Sequence, residues 1–255
     1  MSEWLVLTIA MAAACAVVLT ITLLSNRRIA DDDDPSQTPD VIEYMTMMIG
    51  VIYAIVLGLA IAGVWEGRGA AQESVRMEAQ ALHEVDARSA VYPPAVHQRI
   101  HTDVETYVSY VLDTEWKHMG EHGDLTDRGA QLLGQVRRDV TDYKPANDHE
   151  GEAYQPLVDQ VSAADDARSS RAQAAQATMP GVVWFGLIVG AVITVGLIFT
   201  LQIRRSPKEL LLAGLFSALI AFLLFLIWDF DAPFGRGVIS ATAGPFLDLF
   251  PHAAK

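Results

Sequence analysis

MTMMIGVIYAIVLGLAIAGVW, residues 45–65, is a run of 21 residues without one ionisable side chain. That is the length a helix needs to cross about 30 Å of hydrocarbon. A buried helix of a water-soluble protein alternates apolar and polar faces, whereas this one is apolar all round. Three further runs share the character: Leu5–Leu24, Val182–Leu201 and Leu210–Trp228. Each has the roughly 19–21 residues of a spanning helix, and hydrophobic residues make up 51% of the chain. Met1-Ser2-Glu3-Trp4 has no Lys or Arg, so the first run lacks the basic start of a cleaved signal peptide and is expected to be retained.

Working outward, the predicted fold is an all-α membrane protein with four transmembrane helices and a helical-bundle soluble domain inserted between helices two and three. The segments are a first transmembrane helix at 1–24, a short acidic cytoplasmic loop at 25–44 and a second transmembrane helix at 45–65. An acidic helical domain follows at 66–179, then a third transmembrane helix at 180–202. A short basic loop at 203–209, a fourth helix at 210–229 and a C-terminal tail at 230–255 complete the chain.

Loop charge sets the expected direction. Arg27 and Arg28 follow the first run, and Arg204, Arg205 and Lys208 separate the last two, which assigns both short loops to the cytoplasm. Both termini and the central domain are then extracytoplasmic, in a multi-pass protein of the bacterial cytoplasmic (inner) membrane. Trp4, Trp65, Trp184 and Trp228 fall at helix ends on that same outer side, where indoles favour the headgroup level.

The central segment lacks strand-like alternation. The second transmembrane helix meets no breaker beyond Gly67 and Gly69 before Pro93-Pro94, and is expected to continue as a stalk through Val75, Ala79, Leu82 and Val85. Val96, Ile100, Val104, Tyr107, Val108, Val111 and Leu112 then predict an amphipathic helix ending near Gly120. Thr126 or Asp127 caps a shorter helix carrying Leu132, Leu133, Val136, Val140 and Tyr143. A last helix runs through Tyr154, Leu157, Val158 and Val161 into an Ala-rich stretch before Pro180.

Gly50-Val51-Ile52-Tyr53-Ala54, continuing to Val64-Trp65-Glu66 and a helix with Glu78-Ala79, resembles the signature of the bestrophin-like domain family of bacterial membrane proteins. Asp231-Ala232-Pro233-Phe234 is similar to its closing motif, and the resemblance covers roughly Thr46 to Gly235. It implies a distant relation to the bestrophin anion channels, whose soluble region is cytoplasmic; the loop charges here assign it to the other side.

Several constellations remain open at this level. Gly50, Ala54, Gly58 and Ala62 recur every fourth residue, a strip that lets helix backbones approach closely in lipid. It serves either helix packing, the commoner use, or the wall of an oligomeric pore with Tyr53 at its flank. Gly186, Gly190 and Thr194 repeat the device in the third helix. Glu66, Asp229 and Asp231 sit at span ends, as solvated chain ends or as an acidic ring that concentrates cations. His97, His101 and Glu105 share a helix face, as do His118 and His122. They are weak metal candidates and are read as a solvated face, because Gln98 stands where a metalloprotease motif has Glu.

Charge and absence exclude other classes. A net charge of −13, with 20 Asp and Glu against 11 Lys and Arg between Glu66 and Thr178, argues against nucleic acid as a partner. Spans without Asp, Glu, His or Lys argue against a proton-coupled pump. There is no Gly-rich phosphate loop, nucleophile elbow or CxxC pair, and Cys15 is the sole cysteine; no enzyme activity, metal or cofactor is expected. The expected function is a homo-oligomeric ion channel or channel-like pore with the second helix nearest the axis, the bilayer and inorganic ions being its partners. The alternative is a non-conducting envelope protein whose external bundle binds a partner or senses stress.

Overall fold

No residue between Asp40 and Ser89 interrupts the backbone hydrogen-bond ladder, and helix α1 (Asp40–Ser89) runs for 50 residues before Pro93 and Pro94. A computed structural model of the chain describes residues 40–176, 179–200, 207–235 and 243–253. The first apolar run with Cys15, the loop carrying Arg27 and Arg28, Arg204 and Arg205, and the side chain of Lys208 lie outside the described residues. All regular structure among the described residues is helical. After α1 come α2 (Pro94–Tyr110), a π-helical turn (Val111–Glu115), α3 (Trp116–His122), α4 (Asp127–Thr141), α5 (Asp148–Ala175), α6 (Gly181–Thr200), α7 (Pro207–Phe230) and α8 (Gly244–Leu249).

These elements form two compact units. The first takes α1 up to Trp65 together with Met179–Asp231; the second takes Glu66 to the end of α5 together with Ala232 onward.

In the first unit one face of α1, Tyr53, Leu57, Ala60 and Val64, packs with Leu187 and Ala191 of α6 and Ile220 and Ile227 of α7. Trp65 stands edge-on to Phe230 at 5.4 Å. The other faces are apolar and open: Ile52, Ile55 and Leu59 of α1, Val192 of α6 and Leu215 of α7 are all exposed. Such a contiguous apolar surface suits hydrocarbon, not water. Two stretches, Tyr44–Ser89 and Leu211–Phe230, are long and apolar enough to cross a membrane. Gly181–Leu197 is a shorter apolar helix over its described side chains.

The second unit is a water-type bundle with an internal core. Ala71, Val75, Ala79, Leu82 and Val85 line one stripe of α1, Ile100, Val104, Tyr107 and Val108 one of α2, and Leu132, Leu133, Val136 and Val140 one of α4. Each Val or Leu buried this way contributes about 1.5–3 kcal/mol. Thr126 is the cap of α4, its hydroxyl accepting from the Gly129 N–H at 3.2 Å. Asn147 caps α5 in the same way through Glu150 N–H at 2.9 Å, while Glu150 accepts from the Asn147 amide at 2.8 Å and the Ala146 N–H at 2.8 Å.

Two details differ from the sequence reading. The helix expected to stop near Gly120 passes through it and ends at Gly123, whose φ of 74° is the left-handed conformation that glycine adopts without strain. Gly120 instead makes room for a neighbouring backbone, since a Cβ there would lie 2.8 Å from the Phe234 carbonyl oxygen. The segment 230–255, read as a tail, is folded from Ala232 to Ala253 into the second unit. Trp116 meets Phe234 at 5.5 Å and Phe246 at 6.4 Å, both edge-on. The Ser109 hydroxyl donates to the Ala253 carbonyl at 3.0 Å.

Gly120→Ala should therefore lower stability by about 1–3 kcal/mol, because the backbone carbonyl it meets cannot rotate away. Gly134→Ala, whose Cβ would meet only the Arg138 guanidinium at 3.6 Å, should instead stabilise by about 0.5–1 kcal/mol through helix propensity. Thermal unfolding of the two variants in the same detergent checks the opposite signs.

Candidate functional site

On α1 of the first unit the packing face and the small-residue strip are different faces. Tyr53 turns towards α6, donating its hydroxyl to the Leu187 carbonyl at 3.1 Å. Its ring lies on Gly190, where a Cβ would come within 2.6 Å of the Tyr53 ring. That close approach needs glycine on α6. Ala54, Gly58 and Ala62 are exposed and Gly50 is half-buried, and a Cβ on Gly50 or Gly58 would meet nothing within 4 Å. Of the five residues singled out on this helix, Tyr53 alone belongs to the packing against α6. In α6 Thr194 is buried, while Gly186 is open.

At the span ends Asp231 is held within its own unit, its carboxylate accepting from the Met179 N–H at 2.8 Å and the Trp184 indole N–H at 3.0 Å. Glu66 is exposed and Asp229 half-buried.

The second unit contains a site that the sequence did not announce. Glu78 of α1, Tyr107 of α2, Glu115 of the π turn and Arg171 of α5 are fully enclosed, and Arg168 nearly so. Arg171 donates through Nε to Glu78 Oε2 at 2.6 Å, and through Nη2 to Glu78 Oε1 at 3.0 Å and Glu115 Oε1 at 2.9 Å. Arg168 grips Glu115 with two parallel bonds, 2.6 and 2.8 Å, and donates to the Thr126 carbonyl at 3.1 Å. The Tyr107 hydroxyl donates to Glu78 in a short hydrogen bond and accepts from Arg168 at 2.9 Å. Thr126 donates its hydroxyl to Glu115 at 2.7 Å, tying the α4 cap to the network.

Two carboxylates and two guanidinium groups cancel in charge, which lets all four be dehydrated together. Burial pushes the Glu115 carboxyl up, but hydrogen bonds from Arg168 and the charges of Arg171 and Arg168 outweigh it and hold the group at about 2. Burial likewise works against the Arg171 charge, and Glu78 more than restores it. Gly129 completes the site, since a Cβ there would stand 2.6 Å from Arg168 Nη2 and collide with Glu115.

A signal for this network exists in the periodicity. Glu78 falls in the stripe Ala71, Val75, Leu82, Val85, and Glu115 in the stripe Val104, Val108, Val111. Arg168 and Arg171 continue the inward face of Val161 and Ala164. A charge at an apolar position of a stripe is the sign of a buried partner.

The histidines are tied locally. His97 Nδ1 is 2.7 Å from Ser89 Oγ, and His101 Nδ1 is 2.8 Å from Asp86 Oδ1 with Glu105 at 3.5 Å from its other nitrogen. His118 pairs with Asp124 at 2.8 Å and stacks on His122 at 4.4 Å between ring centres. Among the described residues no group of three or more His, Cys, Asp or Glu is placed to hold a metal ion.

Arg171→Met strips the charge from between two buried carboxylates and should cost about 3–5 kcal/mol. For wild type the sign follows from the depressed Glu115: its contribution is complete above the free-group value of 4.5 and is lost as pH falls towards about 2. Denaturant titrations of wild type and variant across that acid window check both statements.

No curated protein and no solved structure matches the chain. The Bestrophin-like domain family matches over residues 12–246, nearly its whole length and including both the open strip of α1 and the buried network. With its apolar helices, this is a membrane protein, and the chain belongs to the Bestrophin-like domain family.

Proposed function

We propose that the protein is a homo-oligomeric channel or channel-like pore, with α1 nearest the axis and its small-residue strip turned towards the neighbouring copies or the conduction path. The observation that carries this reading is the division of labour on α1. Tyr53, Leu57, Ala60 and Val64 take the contacts inside the chain, and the Ala54, Gly58, Ala62 side is left open. Small residues there allow close helix approach in lipid, where apolar area supplies no drive for association. A wall of small side chains, hydroxyls and backbone conducts ions without intramembrane charge, its gate being a hydrophobic constriction.

In this proposal four helices cross the bacterial inner membrane, with both termini and the residues from 66 to 179 outside the cytoplasm. Basic residues at 27, 28, 204, 205 and 208 support the direction, and the open apolar faces of α1, α6 and α7 support the lipid contact.

Purified protein in planar bilayers should give discrete conductances. Ala54→Phe or Gly58→Leu should reduce unitary conductance several-fold or change selectivity, and light scattering should report a closed ring of copies. A folded monomer that stays silent across voltage, pH and Ca²⁺ would sink the channel and leave the partner-binding envelope protein. For topology, a Cys15→Ser, His122→Cys chain should react with an impermeant thiol reagent in intact cells; labelling only after lysis inverts the orientation.

A further inference from the structure

Away from the ion network, a second pair of carboxyl groups meets across the packed helices α2 and α4. Asp103 of α2 and Asp139 of α4 are half-buried and joined by a side-chain hydrogen bond. Oδ2 of each is closed to solvent and receives no bond from any N–H or O–H donor. Carboxylates are acceptors only, so a bond between these two requires a proton carried by one of them. The other oxygen of Asp103 accepts from the Gln135 amide at 3.1 Å.

Neighbouring groups oppose that proton only in part. Burial comes first in raising Asp103 above the ordinary carboxyl range, followed by the bond to Asp139 and its charge; Gln135 and Arg99 pull the other way. Towards α1, the charged groups of α2 are committed elsewhere: His97 to Ser89, and His101 to Asp86 and Glu105. Towards α5, Arg137 of α4 pairs with Asp165.

We propose that Asp103 and Asp139 share one proton across the α2–α4 interface, making the packing of α4 a pH-sensitive clamp that holds in acid and loosens as the proton leaves. Two like charges facing at hydrogen-bond range cannot both ionise without repulsion. Because the folded pKa is raised, the contribution is full below the free Asp value of 3.8 and is lost as pH rises through the raised value. This runs opposite to Glu115, whose contribution is lost on the acid side, so the clamp is read above the acid window.

The experiment uses the full chain in detergent. Thermal midpoints are measured from about pH 5 to about pH 9 for wild type, Asp103→Asn and Asp139→Asn. Either amide gives the remaining carboxylate a permanent donor. Both variants should therefore show a flatter profile and lie above wild type by roughly 2–4 °C at the alkaline end. Infrared spectra of wild type should carry a protonated-carboxyl carbonyl band at pH values where a free Asp is ionised, lost in each variant. Variants that follow the wild-type profile, fall below it throughout or fail to fold overturn the clamp, as does a wild-type spectrum without that band.

Discussion

Charge neutrality inside the second unit is the condition on which its packing depends. Glu78, Glu115, Arg168 and Arg171 are out of reach of water, and a lone ion in that setting would cost several kcal/mol. Only the complete set is tolerable. The network draws on α1, α2, the π turn, the α4 cap and α5, so these elements must arrive together. A hydrophobic core of the same volume would tolerate sliding of one helix on another, whereas the bidentate Arg168–Glu115 pair accepts one geometry. The network thus specifies the arrangement of the bundle more than it adds to its stability.

Helix α1 serves two solvents along one unbroken ladder. Up to Trp65 its outward residues are apolar and only the Tyr53 face is used by the chain; from Glu66 its inward stripe is apolar and its other faces carry charge. An α-helix satisfies its own backbone in either environment, so the change of medium requires only a change of side chains. The long helix contributes Tyr53 to one unit and Glu78 to the other.

The two carboxyl pairs of the second unit illustrate how partners decide protonation. Glu115 has guanidinium neighbours and is held far into the ionised range. Asp103 has a carboxyl neighbour and is pushed the other way. The chemistry of the side chains is nearly the same; the sign comes from what faces them.

Much of this was legible in the sequence. Apolar runs of spanning length, the 3.6-residue stripes of Val75 to Val85 and Leu132 to Val140, the Thr126 cap and the Pro93-Pro94 stop follow from local rules, because each concerns neighbours within a turn or two. Residue periodicity names the residues that share a face. It does not say which face of another helix meets them. That Tyr53 rests on Gly190, that Gly120 must admit the Phe234 carbonyl, and that Arg171 neutralises a glutamate 93 positions away are matters of tertiary structure, since only packing brings those groups within contact distance. The residues of 45–65 determined that a helix suited to hydrocarbon would form; the third dimension decided that its aromatic face turns inward and its small-residue face stays open.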